Sequence, residues 1–385
     1  MNTKLKTILI TLIIILIIAL IGLSIYTFFI KPKAEEPKPG EFPEGEEGEY
    51  IPEEGLEPEP ELRIKAISQE AVLGPTLTSD KTGAIYYVRT NGNIWQSDFD
   101  GSNVTQVSDS VLENLIQVIW APDKKGTITI FQDPLGNIGK YFYNHETEKA
   151  LPLDSYIDYI AWSSDATEIA YQYQNELTNK NSINTSSPDG SSPSTILRTR
   201  IKDLIIEWPE GQEIFLREKA SGLVQSSLYS LNSLSRAFTK IISDIYGFSV
   251  KWSGDGNKLL YSKTNSNGKN IVLFVADRNG SNQKTTKVKT LVEKCVWSQD
   301  PRIIYCAIPK NIGDAKILPD DFYKGTFLAN DDFWKIDIET GEKNKILEDW
   351  DMPETYDAVD LFLSPQESYL LFTNKINGLL YSIEL

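Results

Sequence analysis

Val250 to Tyr261 reads VKWSGDGNKLLY. An apolar segment, a turn of Ser, Asp and Gly, and a second apolar segment follow one another within a dozen residues. This pattern predicts a β-hairpin, because Asp and Ser hydrogen-bond their own backbone in turns and Gly accepts φ > 0. The cassette recurs as LTSD at Leu77, WAPD at Trp120, WSSD at Trp162, WPEG at Trp208, WSQD at Trp297 and LSPQ at Leu363, making seven copies. Successive anchors lie 43, 42, 46, 44, 45 and 66 residues apart. A period of about 40–45 residues, with four short strands per unit, marks a β-propeller.

The fifth unit sets the pattern. Its strands a to d are predicted at about Phe248–Ser253, Lys258–Lys263, Asn270–Asp277 and Lys284–Thr290. Related c–d turns occur as DFDGSN at Asp98–Asn103, SPDGSS at Ser187–Ser192 and IETGEK at Ile338–Lys343. After Leu363 only two strands remain, Tyr369–Asn374 and Leu379–Leu385. The missing outer strand is available at the other end as Leu62–Ser68, LRIKAIS. A ring closed in this way has no open seam. The expected fold is all-β: a seven-bladed propeller over 62–385, closed by an N-terminal strand.

The hydrophobic-Trp-Ser-x-Asp-Gly hairpins, together with the D-x-D-G-S-N turns, resemble the WD40-like β-propeller repeats of TolB-type proteins over roughly 62–385. The resemblance implies the repeat type and the fold. TolB-type proteins place a separate N-terminal domain before their repeats, so their partners are not carried over. The Gly-His and Trp-Asp pairs of eukaryotic WD40 repeats are absent.

Ahead of the repeats, the chain reads as a short cytoplasmic tail (1–7), a transmembrane helix (8–30) and a Pro/Glu-rich disordered linker (31–61). Ile8 to Ile30 is 23 residues without a charge. As a helix it spans about 34 Å, enough for a hydrocarbon core of about 30 Å. A cleaved signal peptide is the alternative, but the run exceeds a usual h-region and Gly22-Leu23-Ser24 is a weak cleavage site. Lys4 and Lys6 favour a cytoplasmic N-terminus, although Lys31 and Lys33 oppose them, so the body is expected outside the cell membrane. Residues 34–61 hold twelve Glu, one Lys, six Pro and four Gly, a composition that stays extended. Of the formal charge of −16, residues 1–33 carry +4 and 34–61 carry −11, leaving −9 on the repeats. A mildly acidic domain argues against a nucleic-acid partner.

Few residues suggest chemistry. The one histidine, His145, is expected exposed in the turn YNHETE. A multi-His metal site within the chain is therefore excluded, and a His-based triad is not expected of a lone exposed turn residue. No G-x-S-x-G elbow occurs. DFDGSN and DRNGSN lack EF-hand order, so no metal or cofactor is expected. Trp120, Trp162, Trp208, Trp252 and Trp297 could line a funnel; packing between blades is preferred. Cys295 and Cys306 fall on strands a and b of one hairpin, opposite or one place off register. Two buried free thiols are preferred, and a disulfide is the alternative if both side chains share a face.

The long gap before Leu363 places an insertion at about Pro309–Asp332, between strands b and c of the sixth unit. Asp314, Asp320, Asp321, Phe322, Tyr323 and Phe327 fall in it. Long loops on a rigid scaffold concentrate binding function, so Asp320, Asp321, Phe322, Tyr323 and Phe327 are the candidate binding residues. A cover over the blade's edge is the alternative. The b–c and d–a connections share one face, and the linker enters strand d from the other. The insertion is therefore expected to point away from the bilayer.

The expected function is a membrane-anchored, extracytoplasmic scaffold that binds a protein, peptide or cell-envelope polymer. The rivals are a carbohydrate-active enzyme and a structural envelope-assembly protein. The enzyme needs two inward carboxylates about 5–10 Å apart in the channel. An apolar, polar-rimmed patch would favour the binder.

Overall fold

The computed structural model describes residues 62–313 and 315–385. The anchor expected at 8–30 and the linker at 31–61 lie outside the described residues. Among those described, no helix is long and apolar enough to cross a membrane.

The VKWSGDGNKLLY stretch folds as expected. Val250–Trp252 pairs antiparallel with Lys258–Lys263, with Val250 opposite Tyr261 and Trp252 opposite Leu259. The turn is held from within: Ser253 Oγ donates to Asp255 (2.6 Å), and the Asn257 amide donates to the same carboxylate (3.1 Å). Gly256 takes φ +64°. Thr78–Asp80–Thr82 and Ser163–Asp165–Thr167 repeat this arrangement. These hydrogen bonds hold Asp80, Asp165 and Asp255 below the usual carboxylate range. The Asp positions are thus accounted for by turn geometry.

The described residues build seven four-stranded sheets. The seventh has the order Ile64–Ala66, Leu380–Glu384, Tyr369–Asn374, Ala358–Leu363. Ile64 lies opposite Ile383 and Ala66 opposite Tyr381, so a strand from the beginning of the described chain completes the last blade. The outer strands are shorter than the sequence suggests. Strand d of blade 5 covers only Lys284–Thr285, because Lys287 takes φ +59° and breaks the ladder between the Thr286 amide, which meets the Leu273 carbonyl, and the Val288 carbonyl, which takes the Leu273 amide.

Hydrophobic clusters fill the gaps between neighbouring blades. Ile67, Val72, Tyr86, Leu371 and Leu380 close blade 7 onto blade 1. Four of the five anchor tryptophans reach back one blade. Trp120 Nε1 donates to the Gly74 carbonyl (2.7 Å), Trp162 to Ile119 (3.2 Å), Trp252 to the Glu207 carboxylate (3.0 Å) and Trp297 to Lys251 (3.1 Å). Trp208 bonds its own turn at Gly211 (2.7 Å). The indoles are inter-blade packing with a polar tip that finds a partner.

Two expectations need correction. Cys295 and Cys306 are directly opposite in register and are joined as a disulfide, both fully buried, where free thiols were preferred. Direct cross-strand pairing puts both side chains on one face, the condition for the bridge. His145 is not a free turn residue. Its ring stacks on Trp120 (5.3 Å, 14°), meets Tyr143 edge-on and contacts Thr127 Oγ1, and burial lowers its pKa.

Candidate binding site

The insertion in blade 6 occupies 310–330, between strand b (Ile303–Pro309) and strand c (Asp331–Asp337). It carries a one-turn helix, Asp320–Tyr323. Phe322 and Phe327 are buried with Ile271, Leu291, Ala315, Leu318 and Ala329 in a core of the loop's own. Asp320 accepts from Ser221 Oγ (3.0 Å) and the Gly222 amide (2.8 Å) of blade 4. Asp321 accepts the Lys316 and Ile317 amides at 2.7 and 3.0 Å. Lys375 of blade 7 donates to the Phe322 carbonyl (2.9 Å) and lies 4.1 Å from its ring centre. Asp314 lies outside the described residues.

These placements correct the expected role of the insertion. Phe322 and Phe327 are not available to a partner, and Asp320 and Asp321 serve as ties. A loop this long stays ordered only by burying apolar surface of its own. Tyr323 is half-exposed, yet its hydroxyl bonds Glu293 and Ser249 (3.2 Å to the latter), where blades 5 and 6 begin their inner strands. Burial and the Glu293 charge push that phenol well above its ordinary pKa.

Around Tyr323 the inner strands present a polar wall of mixed charge. Lys251 Nζ donates to the Cys295 carbonyl (2.7 Å); burial lowers its pKa against the pull of Asp360 and Glu293. Burial raises Asp360. Glu207 takes bonds from Trp252 and, at 3.5 Å, from Arg217. Arg217 Nε and Glu293 Oε2 are buried without a partner. His, Cys, Asp and Glu side chains form no group of three or more placed to hold a metal ion among the described residues.

The ring is thinnest elsewhere. Between blades 1 and 2 only Tyr87, Ile94 and Leu115 are fully buried, whereas each of the other six blade interfaces buries eight or more apolar residues. Here a groove of about 650 Å³ opens, floored by Tyr87, Ile94 and Phe131 and walled by Val111, Ile138 and Tyr141. Val111 is 65% exposed, and Ile138 and Tyr141 are each 39% exposed. Glu113, Asp133 and Asn137 supply a polar rim. Its loops, around Gly92, 110–113 and 133–137, are b–c and d–a connections, so it opens on the face that carries the insertion. The sequence reasoning missed this groove. Its only signal in the sequence is Val111 and Leu112, apolar residues within an otherwise polar connection.

No protein-family model matches the chain, and no curated protein matches it in sequence. Solved structures do. An oligogalacturonate lyase in complex with manganese superposes with a TM-score of 0.61 at 11% identity, over 84% of this chain and 93% of that one. The propeller domain of the Trilobed protease from Pyrococcus furiosus does so with 0.54 at 10%, over 81% and 95%. TolB from Acinetobacter baumannii is among the neighbours at 0.46 and 12%, over 71% and 62%. At these identities the likeness is one of fold. The propeller read from the repeats has solved counterparts, TolB proteins among them.

Proposed function

We propose that the protein is a membrane-tethered, extracytoplasmic scaffold whose propeller captures a protein or peptide through the groove between blades 1 and 2. The carrying observation is the groove itself: a concave apolar surface with exposed aliphatic and aromatic walls and a polar rim. Such patches on otherwise polar proteins mark interaction sites. The rest of this face supports the choice, because the insertion already occupies the loops of blades 4 and 7 and keeps Phe322 and Phe327 inside.

A photoreactive residue at Val111 should give a discrete crosslinked species in intact membranes. The same residue at Leu177, still more exposed on a b–c loop of blade 3, should give none. Ile138→Asp with Tyr141→Asp should reduce that crosslink roughly tenfold or more, since apolar anchors each contribute about 1–2 kcal/mol or more, while melting stays near the parent's. Equal labelling at both positions would reject the groove as the site.

The tether is tested separately. With Ile8–Ile30 as an uncleaved anchor, the protein should resist carbonate extraction and keep its native N-terminus. A mature chain beginning near Ile25 would overturn that part of the proposal.

A second reading, chemistry on a sugar polymer in the channel, is favoured by one observation. Asp360, its pKa raised by burial, and Glu293 both act on the buried ammonium of Lys251. A carboxyl whose proton affinity is raised by burial, beside a cation in a channel, is the kind of group acid–base catalysis uses.

A further inference from the structure

Blade 3 carries a cluster of cations that nothing in the groove or the channel explains. Strand c (Lys180–Ser186) pairs with strand d (Ser194–Arg198), with Ser182 opposite Arg198. The Thr199 amide continues the ladder to the Asn181 carbonyl (3.1 Å). The Ile201 carbonyl is held by Asn181 (3.0 Å) and Gln172 (2.8 Å). Strand d ends at Arg198, and Arg200 follows at a bend where the Ile201 amide donates to Thr199 Oγ1 (3.0 Å). Lys180, Arg198 and Arg200 all line a hollow of about 480 Å³ with Ser182, Thr195 and Thr199.

Like charges gathered around one hollow repel one another. The repeats have an acidic excess, so carboxylates were available to neutralise these cations. Lys202 does have such a partner, Glu176 at 2.6 Å. Lys180, Arg198 and Arg200 form no ion pair or side-chain hydrogen bond among the described residues. Arg198 and Arg200 stand two residues apart in the lining of this hollow. Each guanidinium offers a planar fork suited to an oxyanion.

We propose that this hollow binds a short run of a phosphodiester polymer, with successive phosphates on Arg198 and Arg200 and Lys180 beside the second. The site is independent of the groove. The −9 charge of the surrounding repeats limits engagement to the few groups the hollow can neutralise.

The test is titration calorimetry of the whole chain in non-ionic detergent with a glycerol-phosphate oligomer. Binding should weaken with salt at a log–log slope of about −1.4 for two phosphates, about 0.7 for each one neutralised. Arg198→Ala with Arg200→Ala should lower affinity at least about tenfold and reduce the slope to about −0.7. Arg200→Ala alone should leave the melting temperature unchanged or raise it, because it removes one of three like charges around the hollow. An unchanged slope in the double variant, tighter binding of an oligogalacturonate of equal charge, or a lower melting temperature in Arg200→Ala would each overturn the proposal.

Discussion

Internal deletion of residues 62–68 is expected to lower the melting temperature by roughly 10 °C and to make the protein aggregate as it unfolds. Ile64 and Ile67 are 2% and 4% exposed, and each caps a different blade interface, 6–7 and 7–1 respectively. Burying two such side chains contributes about 3–6 kcal/mol. The strand also satisfies polar groups. Arg63 donates to the Ile346 and Glu384 carbonyls (3.0 and 2.7 Å), and Ser68 Oγ accepts the Leu380 amide (2.9 Å). Without it, Leu380–Glu384 becomes a sheet edge with unpaired backbone groups, a template for association. Differential scanning calorimetry with light scattering reads both effects. A deleted protein that melts like its parent would show that the ring does not depend on this strand.

The repeats made most of the ring legible. Strand b of blade 5 (Lys258–Lys263) and strand b of blade 7 (Tyr369–Asn374) fall at the limits read from the sequence. Both are bounded by Ser-led turns whose chemistry is local. Outer strands were overextended because their ends are set by backbone turns, such as that at Lys287, that no residue type announces. The insertion shows the larger limit. Phe322 and Phe327 have the same composition signature whether they face a partner or a core. What buries them comes from Ile271 of blade 5 and Leu291 at the start of blade 6, while ties from Gly222 and Lys375 fix the loop over them. The groove was hidden for the opposite reason. It is a deficit of packing between two blades, and each of its residues alone reads as an ordinary strand or loop position. His145 was misread because its partner, Trp120, is an anchor one hairpin earlier in the chain.

Lys294→Met should cost about 3–5 kcal/mol at neutral pH, the largest effect expected of any single substitution here. Lys294 is completely buried just before strand a of blade 6. It bonds Asp331 (2.7 Å), Asp357 (2.5 Å) and the Ala358 carbonyl (3.1 Å), and both carboxylates are also fully buried. Removing the cation leaves two carboxylates in a dry site. One ammonium cannot neutralise two anions, so one of them favours its proton. Burial raises Asp331 to about 6 against the pull of Lys294, and its Oδ1 has no hydrogen-bond partner. Lys375 lies close enough to have its own pKa influenced by Lys294 and Asp357.

The sign of the pH effect follows. An unfolded Asp titrates near 3.9. Between about pH 4 and 6 the unfolded chain releases this proton while the folded chain keeps it. The folded state then binds more protons, so this contribution to stability falls as pH rises through the window, by about 2–3 kcal/mol. The turn carboxylates Asp80, Asp165 and Asp255, lowered in the fold, act the other way and below that window. Asp331→Asn imitates the protonated form. It should match the parent near pH 4, exceed it at pH 7, and lack the parent's decline between. Urea unfolding of parent and variants at pH 4, 5, 6 and 7 separates these contributions, because Asp360 and the turn residues cancel in the comparison. A Lys294→Met cost below about 1 kcal/mol, or an Asp331→Asn profile parallel to the parent's, would mean that the three side chains do not share one proton and one positive charge in this way.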